Sequence, residues 1–183
     1  MRLFIALDLP PGVVSHLESF IARLKPSAPI SWSPPANLHI TTKFIGEYPE
    51  TQLPALQSAL AGMPGRAPIE VTISRVGFFP NERSPRIFWC GIQAPGIDSL
   101  AADTDAATSS AGVTVESRPF SPHLTLARIK ERIDMRPLQD AIAAEPSLDF
   151  GSFTARSFYL YRSQLRPTGS VYTKLAEFPF ANS

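Results

Sequence analysis

The sequence predicts a protein of alternating strands and helices that is built from two related halves. A short pattern occurs twice, as His39–Thr42 (HITT) and as His123–Leu126 (HLTL). The segments around both copies follow the same order of elements, and identical residues recur at the 84-residue spacing of the two histidines. Such self-similarity indicates an internal duplication. We therefore predict one domain, residues 1–183, with halves of about 1–84 and 85–183 that pack about a pseudo-twofold axis.

The two halves align without a gap from the first strand to the end of the motif. The identical pairs outside the motif are Arg2/Arg86, Phe4/Phe88, Pro11/Pro95, Gly12/Gly96, Ser15/Ser99, Pro35/Pro119 and Ile45/Ile129. Because related halves place equivalent elements across from each other, we expect the two motif strands to face one another.

The spacing of apolar residues predicts each element in order. A continuous or alternating apolar run indicates a strand, and apolar residues three or four apart indicate an amphipathic helix. Strands are predicted at 2–9, 30–32, 38–45, 69–79, 86–92, 114–116, 122–129, 153–165 and 170–178. Helices are predicted at 13–24, 52–60, 97–110 and 135–144, each followed by glycine or proline.

Composition narrows the class of protein. The 17 basic and 16 acidic residues nearly balance, so any anion site must be local. The single Cys90 excludes an internal disulfide, and its place inside an apolar strand predicts a packing role. No apolar stretch approaches the roughly 18 residues that span a membrane, and the apolar start is too short for a signal peptide. We expect a cytoplasmic monomer without a membrane partner.

The physical sense of His-x-Thr depends on its predicted place on a strand. Residues i and i+2 of a strand point to the same face, so His39 and Thr41 should project together, as should His123 and Thr125. Two imidazoles on opposite sides of a phosphorus atom can act as acid and base, and the hydroxyls can bind the phosphate oxygens. The third histidine, His16, falls on the polar side of its helix and is expected to be an exposed bystander.

These motifs resemble those of the 2H phosphoesterases, and more specifically of the RNA 2′,3′-cyclic phosphodiesterases, formerly grouped as 2′-5′ RNA ligases. The resemblance covers nearly the whole chain, at 2–10, 39–46, 121–128 and the final hairpin, 163–172. It implies a bilobal α+β fold in which two antiparallel sheets form a central cleft with helices on the outer faces. Thr42 departs from the aliphatic residue common in the family, at a position expected to point away from the cleft.

The resemblance also implies hydrolysis of a terminal 2′,3′-cyclic phosphate of RNA to a 2′-phosphate, with no metal and no other cofactor. His39 would protonate the departing 3′ oxygen and His123 would accept a proton from the attacking water, although the near-symmetric motifs alone do not assign these directions. Thr41 and Thr125 would hold the phosphate, and Arg128 would add positive charge. Run backwards, the same acid and base would join two RNAs without a nucleotide.

Strand periodicity complicates the positions of the other candidates. Arg128 does not share a strand face with His123, so a strand end or a bulge must turn it into the cleft. Lys43 has the parity of His39 and is a weaker phosphate candidate. Three aromatic residues could stack on a base, although core packing is the expected role of each: Trp32, Phe44 and Phe120.

Three alternatives stay open. A metal hydrolase needs three or more ligands at tight spacing, whereas neither motif contains a carboxylate. A non-catalytic module would bind RNA ends without turnover. Another 2H enzyme would act on ADP-ribose cyclic phosphate or a 2′-5′ oligoadenylate through the same motifs. An ATP-dependent ligase is not supported, because the sequence has no Gly-x-x-x-x-Gly-Lys loop.

Overall fold

The computed structural model describes residues 1–181 of the chain. These residues form nine β-strands: β1 (Arg2–Leu7), β2 (Ser31–Trp32), β3 (Ile40–Glu47), β4 (Ile69–Phe79), β5 (Ile87–Gln93), β6 (His123–Arg128), β7 (Asp149–Ala155), β8 (Ser157–Arg166) and β9 (Gly169–Pro179). The same residues form four α-helices: α1 (Pro11–Leu24), α2 (Leu53–Ala61), α3 (Ile97–Ser110) and α4 (Arg136–Ala143). None of these helices combines the length and the apolar character needed to cross a bilayer.

The strands form two antiparallel sheets. The first sheet has the order β3-β1-β8-β9, and the second has the order β2-β6-β5-β4-β7. Each sheet combines strands from both ends of the chain, because β8 pairs with β1 while β2 pairs with β6. The predicted α+β fold with two antiparallel sheets is confirmed.

Two of the predicted strands are wrong. The single strand expected at 153–165 is two strands, β7 and β8, which belong to different sheets. The chain crosses between the sheets at Arg156, whose carbonyl accepts a hydrogen bond from the amide of Phe180 at 2.8 Å. Apolar periodicity continues through the crossing and so does not reveal the change of sheet. The piece expected to be extended at 114–116 is a loop without strand pairing.

The helices and one face of each sheet enclose the main apolar core. The α1 residues that the spacing placed inward are all buried: Val13, Leu17, Phe20, Ile21 and Leu24. Phe20 packs against Phe150 of β7 with ring centroids 4.8 Å apart. Cys90 is fully buried in β5, and burial raises the pKa of its thiol, as expected for a packing residue.

The opposite face of each sheet carries the candidate site, and we call it the cleft face. On the first sheet Phe4, Ala6 and Tyr161 form a small apolar cluster that is separate from the main core. On the second sheet the cleft face includes the paired residues Trp89 and Thr125. The cleft faces of the two sheets therefore carry side chains that do not belong to the main core and can contact a ligand.

Candidate active site

The two motif histidines are anchored in the same way. His39 lies immediately before β3, and its Nδ1 is 2.6 Å from the carbonyl oxygen of Asn37. His123 begins β6, and its Nδ1 is 2.8 Å from the carbonyl oxygen of Ser121. Because a carbonyl oxygen can only accept, each Nδ1 carries the hydrogen. Nε2 is then the nitrogen of each ring that can exchange a proton with a ligand.

The structure brings both histidines to one cleft. The strands β3 and β6, which come from different sheets, are in contact. Burial lowers the pKa of His39, and a positive charge on Arg128 or on His123 would lower it further. The three side chains are therefore near enough to interact electrostatically.

A β-bulge occupies the same position in both motif strands. In β3, Thr41 pairs with Ala6 and Lys43 pairs with Ile5, which leaves Thr42 as the extra residue. In β6, Thr125 pairs with Trp89 and Ala127 with Phe88, which leaves Leu126 as the extra residue. A bulge places two residues of one strand opposite one residue of its partner, so the alternation of faces shifts by one.

The shifted alternation explains where Arg128 lies. Leu126 and Ala127 are both fully buried, so the next residue returns to the side of His123 and Thr125. Arg128 is exposed there, at the end of β6. The amide and hydroxyl of Ser33 stabilise the bulged backbone by donating to the carbonyls of Leu126 and Thr125, at 2.8 and 2.9 Å.

The prediction that Lys43 shares the cleft side with His39 is wrong. The bulge at Thr42 turns Lys43 away from the cleft, and its side chain is only 5% exposed. Its ammonium group forms an ion pair with Asp105 of α3 and donates to the carbonyl of Thr114 at 2.9 Å. Lys43 therefore links β3 to α3 and does not face the cleft.

The expectation of core packing is wrong for Phe44 and holds for the other two aromatic candidates. Phe44 occupies the position in β3 that Arg128 occupies in β6, and its side chain is 49% exposed. Its ring stacks beside Phe4, with centroids 6.1 Å apart. Trp32 and Phe120, in contrast, are partly buried against the main core.

Aromatic rings surround His39 closely. Its ring centroid lies 4.7 Å from that of Phe4, 5.3 Å from Tyr172 and 6.4 Å from Tyr161. Burial among these rings disfavours the charged imidazolium and lowers the pKa of His39. The hydrogen bond to Asn37 opposes this shift, and so does the carboxylate of Asp8.

His123 has a more open environment. Phe79 of β4 meets its ring edge to face, with centroids 5.1 Å apart. Phe79 packs in turn on Trp89, which lies so close to Gly77 that a Cβ there would come within 2.3 Å of the indole ring. The packing of Phe79 and Trp89 beside His123 therefore depends on Gly77, because only a residue without a side chain leaves room for the indole.

The motif threonines occupy the predicted faces. Thr41 and Thr125 are partly exposed, and within residues 1–181 no hydrogen bond involves the hydroxyl of either. Thr42 is 6% exposed, and its hydroxyl donates to the carbonyl of Ile5 at 3.3 Å. His16 is exposed on α1, as expected for a bystander.

Comparison with known proteins identifies the family of the chain. The sequence model of the LigT-like phosphoesterase family matches residues 7–89 and 92–172, which include both histidine motifs. The chain belongs to the LigT-like phosphoesterase family. The resemblance predicted from the motifs is thereby confirmed.

Relatives within the LigT-like family match along nearly the whole chain. The RNA 2′,3′-cyclic phosphodiesterase of Methanocaldococcus jannaschii is 32% identical, with 97% of this chain and 100% of the relative covered. The protein of the same name from Thermus thermophilus is 34% identical, with 97% and 89% covered. The crystal structure of TT0787 of Thermus thermophilus superposes with a TM-score of 0.82 at 32% identity and covers 98% of both chains. That of E. coli LigT complexed with 3′-AMP gives 0.79 at 28% identity, covering 99% and 98%.

Sequence reasoning missed several residues of this LigT-like site. Asp8 follows β1, Phe79 ends β4, and Tyr161, Tyr172 and Lys174 lie on the final hairpin. None of them belongs to a repeated motif. The alternation of Tyr159 and Tyr161 in the final hairpin was the available signal for an aromatic cleft face.

A cavity of about 510 Å³ lies between the C-terminal end of β3 and the loop at 112–117, and neither histidine lines it. It is lined by Lys43, Tyr48 and the loop at 112–117, among others. In the part of the chain that the structure describes, no three His, Cys, Asp or Glu side chains are grouped as metal ligands would be.

Proposed function

We propose that this protein hydrolyses the 2′,3′-cyclic phosphate ends of RNA to 2′-phosphomonoesters by acid–base catalysis that needs no metal. The observation that carries the proposal is the pair of histidines with matching Nδ1 anchors, one just before β3 and one at the start of β6, two strands of different sheets that are in contact. The names of the relatives supply the substrate class. Both motifs belong to one chain, so a monomer carries the complete proposed site.

In the proposed reaction, His123 is neutral and its Nε2 removes a proton from a water molecule as the water oxygen attacks phosphorus. His39 is protonated, and its Nε2 gives a proton to the 3′ oxygen as the bond from that oxygen to phosphorus breaks. The products are a 2′-phosphate and a free 3′-hydroxyl. Each histidine ends in the protonation state in which the other began, so before the next turnover His123 must lose a proton and His39 must gain one, with no net change in the proton count of the pair.

Three further side chains are proposed to hold the phosphate. The hydroxyls of Thr41 and Thr125 are available on the two walls and can donate to non-bridging oxygens. Arg128, returned to the cleft side by the bulge, can pair with the negative charge that grows in the transition state. With a 5′-hydroxyl as the attacking group in place of water, the same step would give a 2′-5′ linkage and a free 3′-hydroxyl, and would require no nucleotide.

The deciding experiment is incubation with 2′,3′-cyclic AMP and identification of the product isomer. We expect 2′-AMP, formed equally well in the presence of EDTA. His39→Ala and His123→Ala should each lower kcat by at least about 100-fold, the usual contribution of a positioned acid or base. His16→Ala is the matched control, since that histidine is exposed on α1, and should match the parent.

Other outcomes would overturn the proposal in distinguishable ways. A 3′-AMP product would show that the 2′ oxygen, and not the 3′ oxygen, is the leaving group. Activity abolished by EDTA and restored by zinc would indicate a metal hydrolase. Tight binding without turnover would indicate an RNA-end-binding module, and faster turnover of ADP-ribose cyclic phosphate or a 2′-5′ oligoadenylate would assign a different 2H substrate.

A further inference from the structure

The residues directly across from the two histidines differ in charge. In the first sheet the β1–β3 ladder ends with Leu7 opposite Ile40, and the same register continued by one residue places Asp8 opposite His39. In the second sheet Gly91 is paired with His123. Opposite residues of an antiparallel pair share a face and have Cβ atoms about 4.5–5.5 Å apart. Only the first histidine therefore faces a carboxylate across its ladder.

Two side chains of the final hairpin hold the Asp8 carboxylate. The hydroxyl of Tyr161 donates a hydrogen bond to one carboxylate oxygen, and the ammonium group of Lys174 forms an ion pair with the other. Burial and the hydrogen bond to Asp8 raise the pKa of Tyr161, so its hydroxyl remains a donor. The ring of Tyr161 also lies beside His39, which fixes the carboxylate relative to the imidazole.

The second half cannot carry a carboxylate at the equivalent place. A Cβ added to Gly91 would lie 2.7 Å from the carbonyl oxygen of Ser74 on β4. Because that carbonyl belongs to the backbone of a neighbouring strand, no small adjustment would make room for a side chain. The difference between the two histidines is therefore built into the backbone packing.

The charges around His39 come from three directions. Asp8, at the end of β1, is the anion that faces it in the described part of the chain. Arg128 and His123 face it from β6 and disfavour its positive charge, and Lys174 approaches from β9 as the partner of Asp8. The tyrosines of β8 and β9 that line the ring are neutral neighbours. Asp8 therefore limits the fall in the pKa of His39 that burial and a positive charge on Arg128 cause, although the net shift remains downward.

We propose that Asp8 is a positioning residue that holds the proton on His39, so that His39 rather than His123 is the proton donor. This inference rests on the proposed function and deepens it by naming what breaks the symmetry of the pair. Asp8 does not touch the reacting phosphate. It acts through His39. When the pair carries one proton, that proton is either on His39 or on His123, and the Asp8 carboxylate favours the state with the proton on His39.

The test is an NMR titration of both histidines in the parent and in Asp8→Asn, together with kcat/KM as a function of pH for 2′,3′-cyclic AMP. In Asp8→Asn we expect the pKa of His39 to fall by about one unit, and that of His123 to change much less. The maximum of kcat/KM should fall about tenfold, because each unit lost lowers tenfold the fraction of singly protonated enzyme whose proton is on His39. Asp8→Glu, which restores the charge, should recover most of both values.

The control is Glu177→Gln. Glu177 lies on the same hairpin and accepts hydrogen bonds from Ser157 and Tyr159 rather than contacting Asp8 or His39, so both titrations should match the parent. The Asp8 side chain is 32% exposed, and Asp8→Ser offers a second neutral variant should the asparagine disturb folding. An unchanged pKa of His39 in the neutral variants, or an equal shift of both histidines, overturns the role of Asp8. That result leaves the proposed function intact, whereas full activity of His39→Ala would refute the function itself.

Discussion

The two motif strands have the same backbone design but present different side chains to the cleft. In both strands the histidine Nδ1 is bound by the carbonyl two residues upstream, and in both a bulge follows the threonine. The residue that the bulge returns to the cleft is Phe44 in β3 and Arg128 in β6. The residue across from the histidine is Asp8 in the first sheet and Gly91 in the second.

This comparison separates what the repeated motif determines from what it leaves free. The backbone determines the orientation of the imidazole and hydroxyl, and both strands share it. The two pairs of equivalent positions with different residues, Phe44/Arg128 and Asp8/Gly91, determine the charge near each histidine. A symmetric backbone can therefore support an asymmetric reaction in which one histidine gives a proton and the other takes one.

The largest effect expected from these substituted positions is that of Arg128→Met. Loss of a charged partner of the phosphate costs roughly 1.5–3 kcal/mol, so kcat/KM for 2′,3′-cyclic AMP should fall about 10- to 100-fold. Steady-state kinetics measures this, and Arg128→Lys should recover part of the loss.

Arg86→Met is the matched control, because Arg86 is exposed and contacts the carbonyl of Lys130 near the same end of β6. It should match the parent. Should Arg128→Met remain within about twofold of the parent while folded, Arg128 is a surface arginine and the bulge in β6 has no catalytic consequence.

A smaller effect is expected at the equivalent position of β3. Phe44→Ala should raise KM about tenfold, since stacking of a base on an aromatic ring contributes roughly 1–3 kcal/mol, while Phe44→Trp should keep the parent KM. The comparison substrate is ribose 2′,3′-cyclic phosphate, which has no base, and Phe44→Ala should leave its kinetics unchanged. An equal loss with both substrates would show that Phe44 supports the position of His39 through Phe4 instead.

The sequence predicted the parts of this site that lie within the repeat and failed where strand pairing departs from a regular ladder. The faces of His39, Thr41, His123 and Thr125 followed from a period of two, because no bulge precedes them. Strand alternation puts Lys43 on the wrong face because the bulge at Thr42 depends on pairing with β1, which the local sequence does not encode. Strand alternation shows that Arg128 can reach the cleft only if a bulge or a strand end turns it, but the sequence does not show that the bulge forms.

Structural equivalence also departs from the sequence alignment by one residue. The alignment matches Phe4 with Phe88, yet Phe4 belongs to the cleft-face cluster and Phe88 to the main core. The ladders instead give Ala6 and Trp89 the same role, as partners of Thr41 and Thr125. A one-residue shift in register exchanges the two faces of a strand, so identity in an alignment does not guarantee the same orientation.

The measurement that tests the central claim most directly is a double-mutant cycle on the two histidines, with kcat for 2′,3′-cyclic AMP measured in His39→Ala, His123→Ala and the double variant. If both imidazoles act on one phosphorus atom in one step, removing either already abolishes the concerted transfer. The double variant should then be about as slow as the slower single variant. Losses that multiply in the double variant would show that the histidines act independently, and would contradict a shared site.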